Sequence, residues 1–255
     1  MDPNYVIGSG KLYFDQFAAG TKTRSGSERY LGNSPELGLN QSEETVEHYD
    51  SDNGKKVKDR DVSISNDLGG SFTLDDISMA NMALWFGGAV AQVTQAAGAG
   101  VAETVTGAQL GTYIQLGVDA DTPQGVRKIS NVAINNGAVV AEANNYEVDE
   151  TLGRIYILED AADISAGDDL DFTYDVAAYT EEQVVPAGTV IEGRMVFIAN
   201  NAEGENKDYA WPYVKIRPDG DFALKGDDWQ AMTFNFEVLK LNDSTPSSAA
   251  TSRPV

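Results

Sequence analysis

The sequence predicts a mainly β protein: an antiparallel β-sandwich or barrel with one flanking α-helix and a small inserted β subdomain. Three observations lead to this fold class. Short runs of alternating apolar and polar residues recur along the chain, and turn signals such as Asn136-Gly137 and Asp219-Gly220 separate them. One segment has apolar residues at helical spacing instead. The 255 residues suffice for one elaborated domain or a domain with an insert.

The clearest strand pattern lies in LDFTYDV at 170–176. Its odd positions are acidic or polar, and its even positions are Leu170, Phe172, Tyr174 and Val176. Strict alternation places the four apolar side chains on one face, so this segment is predicted to be a half-buried strand.

One segment reads as a helix, LDDISMANMALWF at 74–86. It contains no internal Gly or Pro, Asp75 and Asp76 are available as caps, and Gly87-Gly88 would end it. Its apolar residues cover most of the circumference, which predicts a helix packed against sheets or a neighbouring subunit.

Composition and charge divide the chain into three parts. The middle third is the most acidic, and it follows a stretch of small residues at 87–111 that reads as a loop or linker. We therefore predict one β-sandwich domain from residues 1–110 and 184–241, with an acidic β subdomain inserted at 111–183. The Ser-, Thr-, Ala- and Pro-rich tail at 242–255 is predicted to be disordered.

Two distant segments share the pattern V-x-I-x, an Asp-containing turn, then F-x-L. They begin at Val62 and Val214. Any antiparallel hairpin with one buried face has this pattern. A more specific interpretation is that two equivalent hairpins lie side by side in one sheet, which can then continue into the next subunit.

The composition excludes several classes of function. Forty acidic residues against eighteen Lys and Arg give a net charge of −22, which disfavours a protein that binds nucleic acid by neutralising phosphates. The chain has no cysteine and a single histidine, His48, so thiolate sites and multi-histidine metal centres within one subunit are excluded. No nucleophile motif accompanies His48, and we expect no enzymatic activity, cofactor or metal.

Acidic loops leave calcium binding open as an alternative, but none has the spacing of a calcium-binding loop. They lie at 50–54, 119–121 and 168–171. Glycine clusters lack the Lys-Thr or helix of a phosphate loop. No basic leader or long apolar run precedes the first strands, so membrane insertion is not expected.

Three groups of segments carry a resemblance to a known family. The amino-terminal group is SERYLGNSPELGLNQS at 27–42, KDRDVSIS at 58–65, GSFTLDDI at 70–77 and the helix through Trp85. The carboxy-terminal group is EGRMVFIANN at 192–201, WPYVKIRPDG at 211–220 and GDDWQAMTFNFEVL at 226–239. The middle group is NYEVDETLGRIYIL at 145–158 and ISAGDDLDFTY at 164–174, which are similar to segments of phage tail proteins. The order of the segments resembles that of the major tail tube proteins of long-tailed bacteriophages, of the siphophage type.

This resemblance implies a virion structural protein whose hexameric rings stack into a tube that conducts phage DNA into the host. Two hairpins from each of six copies would form a barrel of about 24 strands around the channel. The implied partners are further copies of the chain, other tail proteins such as the tape measure and the tail terminator, and DNA passing without specific contacts. Its location would be the virion tail, assembled in the host cytoplasm.

Several positions become candidates under this interpretation. The residues predicted to face the lumen are Asp61, Ser63, Ser65, Ser71, Thr73, Lys215 and Asp221. An arm that reaches the adjacent ring is predicted around Lys22, Arg24 and Arg29, and the insert is placed outside the tube. The alternative function is an acidic secreted β-sandwich adhesin or carbohydrate-binding module, with an aromatic platform of Trp211, Tyr213 and Trp229.

Overall fold

A computed structural model describes residues 5–52 and 54–253. The chain divides into two compact units: unit 1 comprises residues 1–91 and 184–255, and unit 2 comprises residues 92–183. Within the described residues, no helix has both the length and the apolar character required to cross a bilayer.

The elements before the insert are β1 (Gly10–Gln16), β2 (Arg29–Tyr30), β3 (Glu36–Asp50), β4 (Val57–Leu74), α1 (Met79–Trp85) and β5 (Ala89–Gln95). Those that follow are β6 (Gly98–Val105), β7 (Tyr113–Gln115), β8 (Ile129–Asn135), β9 (Val139–Val140), a 3-10 turn (Glu142–Asn144), β10 (Tyr146–Asp149), β11 (Arg154–Ile157) and β12 (Leu170–Val176). The chain ends with β13 (Tyr179–Val185), β14 (Ile191–Ala199), β15 (Asn206–Asp219), β16 (Met232–Val238) and β17 (Ala249–Arg253).

Unit 1 is built on one antiparallel sheet in the order β2-β1-β14-β15-β16-β4-β3, with β17 added beside β15. One face of this sheet buries an aromatic and aliphatic core, against which α1 packs through Leu84. The core is closed around Trp211, which is 1% exposed. Burial of this apolar surface is the main force that holds the sheet and the helix together.

Unit 2 has its own core between a three-stranded sheet, β10-β11-β7, and a four-stranded sheet, β6-β12-β8-β9. The predicted alternation of β12 is confirmed, because Leu170, Phe172, Tyr174 and Val176 are all buried. The mainly β fold class, with antiparallel sheets and one flanking α-helix, is likewise confirmed.

The predicted helix is shorter than expected. Leu74 belongs to β4, where it pairs with Met232, so the helix begins only after Ser78. The Ser78 side chain caps the helix by accepting a hydrogen bond from the backbone of Asn81. Asp75 is not the cap, because its carboxylate accepts a hydrogen bond from Asn33 instead.

The first predicted hairpin turn is misplaced, and the second begins where expected, at Asp219-Gly220, but the strand predicted to follow it at once is absent from the described residues. Strand β4 runs through Gly69 and Gly70 without a turn, and β15 continues to Asp219, so Phe222 and Leu224 lie outside any strand. A Cβ atom at Gly70 would collide with the carbonyl oxygen of Gly38 and the ring of Phe236. The Gly-Gly pair therefore permits close packing within a strand.

Two further segments of the chain differ from the predictions. The stretch at 87–111 holds β5 and β6, and the division of the chain falls after residue 91, not after residue 110. The tail is ordered over β17, where Arg253 forms a 3.0 Å ion pair with Asp208. In both segments, strand pairing with a distant partner supplies order that the local composition does not predict.

Candidate assembly surface

Two real hairpins lie side by side in unit 1. Strands β15 and β16 form one hairpin, β3 and β4 form the other, and β16 pairs with β4. We call these four neighbouring strands, in the order β15-β16-β4-β3, the four-strand sheet. The hypothesis of two adjacent hairpins in one sheet therefore holds, although with different turns from those predicted.

The four-strand sheet has one apolar and one polar face. Phe72, Phe234 and Ile216 point into the core from three of the strands. Because side chains alternate, the intervening residues share the opposite face. That face contains Glu36, Gly38 and Asn40 from β3, Ser71 and Thr73 from β4, Thr233, Asn235 and Glu237 from β16, and Lys215, Arg217 and Asp219 from β15.

Cations on the polar face are matched by a carboxylate on the next strand. Arg217 lies 3.7 Å from Glu237, and Lys215 is the direct register partner of the same glutamate. Beside them, the hydroxyls of Thr73 and Thr233 lie 3.3 Å apart. The polar face thus combines small neutral side chains with charges balanced inside the chain.

The structure brings only some of the predicted lumen residues together. Ser71, Thr73 and Lys215 share the polar face. Ser65 continues this face further along β4.

The other predicted lumen residues lie elsewhere. The register of β3 and β4 shifts at Ile64, so Ser63 and Asp61 turn to the opposite face and do not share the polar face with Ser71 and Thr73. Asp221 lies outside the strands.

Beyond the four-strand sheet, β3 and β4 continue as an isolated ribbon. We call residues 41–50 and 57–68 the distal hairpin, since there, among the residues that the structure describes, each strand has only the other as its neighbour. Most of its residues are exposed, on both faces, including the directly paired Val46 and Val62 at 56% and 51%, while Ser65 and Leu68 are half-buried. A two-stranded ribbon with apolar side chains in water has too little buried surface to be stable alone, which indicates a contact with another molecule.

Lys58 forms two ion pairs near the tip of the distal hairpin, one across to β3 and one along its own strand, β4. Lys58 lies 2.7 Å from Glu47 and 3.1 Å from Asp61. The hydrogen bond from Lys58 lowers the pKa of Glu47, and the same bond raises the pKa of Lys58. His48 also lies on this hairpin, and its side chain is largely exposed. Its Nδ1 atom lies 2.6 Å from Asp59 on the neighbouring strand, so a contact between the two strands accounts for the position of this histidine.

Comparison with known protein families shows to which family this chain belongs. A family model matches residues 5–253. The chain belongs to the family described as "Protein of unknown function UCP028589". No curated protein matches this member of the family.

The cationic side chains of the predicted arm bind residues of their own chain. Arg24 donates to the buried carboxylate of Asp15 at 3.1 Å, and Arg29 donates to Asn81 at 2.7 Å. The Lys22 ammonium donates to a backbone carbonyl and lies 4.7 Å from the ring centre of Tyr213. This geometry favours a role within the subunit over the predicted reach to a neighbouring ring.

Asp15 anchors the whole segment. Its carboxylate also accepts hydrogen bonds from the hydroxyl and backbone N–H of Ser25 and from the backbone N–H of Gly26. Burial alone would raise the pKa of Asp15, but these bonds, together with that from Arg24, outweigh it and lower the pKa.

In the part of the chain that the structure describes, no group of three or more His, Asp or Glu side chains is arranged to hold an ion. Asp119, one of the calcium candidates, instead accepts hydrogen bonds from Asp121 and Thr122 in a tight turn.

Sequence reasoning missed the distal hairpin. Its available signal was two long polar runs without proline on either side of the turn residues Asp50 to Gly54.

Proposed function

We propose that this chain is the subunit of a hexameric ring, and that stacked rings form the tail tube through which a long-tailed bacteriophage passes its DNA. The observation that carries the proposal is the four-strand sheet, in which two hairpins lie side by side with an uncovered polar face. Six copies that contribute four strands each would give a barrel of about 24 strands, wide enough to leave a channel.

An unpaired edge supports joining between copies. Strand β3 ends the sheet, and among the described residues no strand pairs with its outer edge. Its fifteen residues form a long row of backbone donors and acceptors. Such an edge invites pairing with another chain, and closure into a ring removes it.

The polar face suits a wall along which DNA slides. Duplex DNA carries one negative charge per ~1.7 Å, so a basic wall would release counterions and hold it. Here Lys215 and Arg217 face Glu237, and the chain as a whole carries a net charge of −22. A wall of this kind repels the duplex or leaves it unbound. The electrostatic force acts only within the ~10 Å Debye length of ~0.1 M salt.

The distal hairpin supports stacking between rings. It extends beyond the sheet and exposes Val46, Val62 and Ile64, the last at 57%. Contact with a second ring would cover these side chains and give the two-stranded ribbon a further surface to pack against. This segment replaces the predicted arm around Lys22 as our candidate for the contact between rings.

The alternative of an adhesin or carbohydrate-binding module with an aromatic platform is not favoured. Trp211 and Tyr213 are 1% and 6% exposed, whereas Trp229 is 93% exposed. The three rings therefore offer no shared surface to a ligand. Association with a tape measure or terminator protein, and an outward position of the insert, stay predictions.

Electron microscopy and sedimentation velocity of the purified chain test the proposal. We expect rings or hollow tubes whose abundance rises with protein concentration and with salt, since salt screens the repulsion between acidic copies. A chain that sediments as a monomer at high concentration and moderate salt, with no rings on the grid, would contradict it.

A further inference from the structure

A pocket of about 390 Å³ opens within unit 2 and has no part in the assembly proposed above. One wall is the segment at 117–127, the other wall is the ribbon of β5 and β13, and Tyr174 lies at its base. Its volume falls in the range of sites for small organic ligands.

The walls of this pocket are fixed before any ligand arrives. Gln95 ties β5 to the opposite wall, since its amide donates to the carbonyl of Arg127 at 2.6 Å and accepts from the same residue's N–H at 2.8 Å. At the base, Glu103 accepts hydrogen bonds from Tyr174 at 3.0 Å and from the backbone of Gly117 at 2.8 Å. A binding site with rigid walls loses little entropy when it binds.

The rim of the pocket differs from its walls. Four polar side chains line it without making a hydrogen bond or ion pair to any described residue: those of Asp121, Gln124, Glu181 and Gln183. Two of them, Glu181 and Gln183, lie two apart on β13 and therefore point to the same side of that strand. The rim thus presents carboxylates that accept hydrogen bonds and amides that both donate and accept.

Aromatic and apolar side chains also line the pocket. Tyr179 lies on the same side of β13 as the two rim residues, and the Lys128 ammonium, 4.4 Å from its ring centre, holds the ring in place. Lys128 adopts a left-handed backbone conformation with φ of 53°, a strained geometry for a residue with a side chain. Apolar side chains of Val93, Val101 and Pro123 complete the surface.

We propose that this pocket binds a neutral, hydroxyl-rich ligand, a saccharide of one or two rings. A sugar presents hydroxyls that need both donors and acceptors, together with C–H faces that pack on aromatic and aliphatic groups. Asp119, Asp121 and Glu181 disfavour an anion, and the guanidinium of Arg127 is occupied by two backbone carbonyls.

Calorimetric titration and saturation-transfer NMR on the full chain test this proposal, with four disaccharides as probes: maltose, cellobiose, lactose and diacetylchitobiose. We expect saturable binding of at least one probe with a Kd below about 5 mM. Glu181→Ala and Gln183→Ala are each expected to weaken that binding about tenfold, since each removes a hydrogen-bonding group from the rim.

Glu182→Ala is the matched control, because Glu182 lies between the two rim residues and points to the opposite side of β13. It should leave the Kd unchanged, and thermal unfolding should show all three variants folded. The proposal is overturned if none of the four probes binds at about 20 mM. It is also overturned if Glu182→Ala weakens binding as much as Glu181→Ala, or if a cationic sugar such as glucosamine binds while the neutral probes do not.

Discussion

Phe72 and Phe234 stack across the seam where the two hairpins of the four-strand sheet meet, with ring centroids 4.9 Å apart and ring planes inclined by 13°. The two residues are also direct register partners of β4 and β16, and both are fully buried. One aromatic pair thus joins the two hairpins through residues that lie 162 positions apart in the sequence. The continuity of the sheet depends on the packing at this seam.

Removal of one ring from the seam should destabilise the chain strongly. Phe234→Ala would leave a cavity beside Phe72 and is expected to lower the free energy of unfolding by about 3–5 kcal/mol. Urea denaturation followed by fluorescence measures this loss. The control is Trp229→Ala, on a side chain that is 93% exposed, with an expected change within about 0.5 kcal/mol. Equal losses in the two variants would show that the seam contributes nothing special.

Two glycines on facing strands provide a matched pair. Gly70 has the carbonyl oxygen of Gly38 and the ring of Phe236 where a Cβ atom would lie, whereas nothing lies within 4 Å of the corresponding position at Gly38. Gly70→Ala is therefore expected to lower the free energy of unfolding by about 1–3 kcal/mol, because the strands must separate. Gly38→Ala should be neutral or mildly stabilising. The same denaturation experiment decides, and a loss in the Gly38 variant alone would contradict the packing described.

These glycines also show where sequence reasoning reached its limit. The repeated pattern predicted the adjacency of two hairpins, and its members Phe72, Leu74, Val214 and Ile216 are buried in strands as expected. Its other members Val62, Ile64 and Leu224 are exposed. A Gly-Gly pair, however, serves equally well as a turn and as a point of close approach, and only the position of Phe236 decides between the two. The turn was therefore placed inside β4 and not at its beginning.

The buried carboxylate of Asp15 should make stability depend on pH. Its pKa in the folded chain lies below the ordinary value of 3.8, so its contribution is fully present above that value and is lost as the pH falls through the lowered pKa. Asp15→Asn should cost about 2 kcal/mol at pH 7, because the charged acceptor for Arg24 and Ser25 disappears. This difference from the unmodified chain should shrink as the pH falls below the ordinary value of 3.8 and through the lowered pKa.

Urea titrations across this pH range, with Asp227→Asn as the control on an exposed loop residue, measure the effect. The control is expected to stay within about 0.5 kcal/mol of the unmodified chain at pH 7. A difference for Asp15→Asn that grows as the pH falls would contradict the described network.

The distal hairpin should matter for assembly and not for folding. Val46→Asp combined with Val62→Asp places two like charges opposite each other on one face of the ribbon. We expect single rings without long tubes in electron micrographs, while the melting temperature changes by only a few degrees, since both side chains are more than half exposed. Glu43→Gln, on the same strand, is the control and should leave tube length unchanged. Long tubes in the double variant would exclude the hairpin from the ring contact.

The candidate contact between rings could not be located from sequence for a physical reason. A segment rich in small polar residues and cations, such as that around Arg24, has the composition of a mobile arm. Its fixed position depends on Asp15, nine residues away on β1, whose burial no local pattern indicates. The distal hairpin has the reverse property, because its strands look ordinary in sequence, and only the sheet order shows that no third strand of the described part of the chain pairs with them.

Cryo-electron microscopy of the assembled protein tests the central claim most directly. We predict a hollow tube in which the outer edge of β3 pairs with a strand of the next copy, and in which Ser71, Thr73 and Asn235 line the channel. A map in which the β3 edge is covered within its own chain, or in which the polar face of the four-strand sheet lies away from any channel, would contradict the claim.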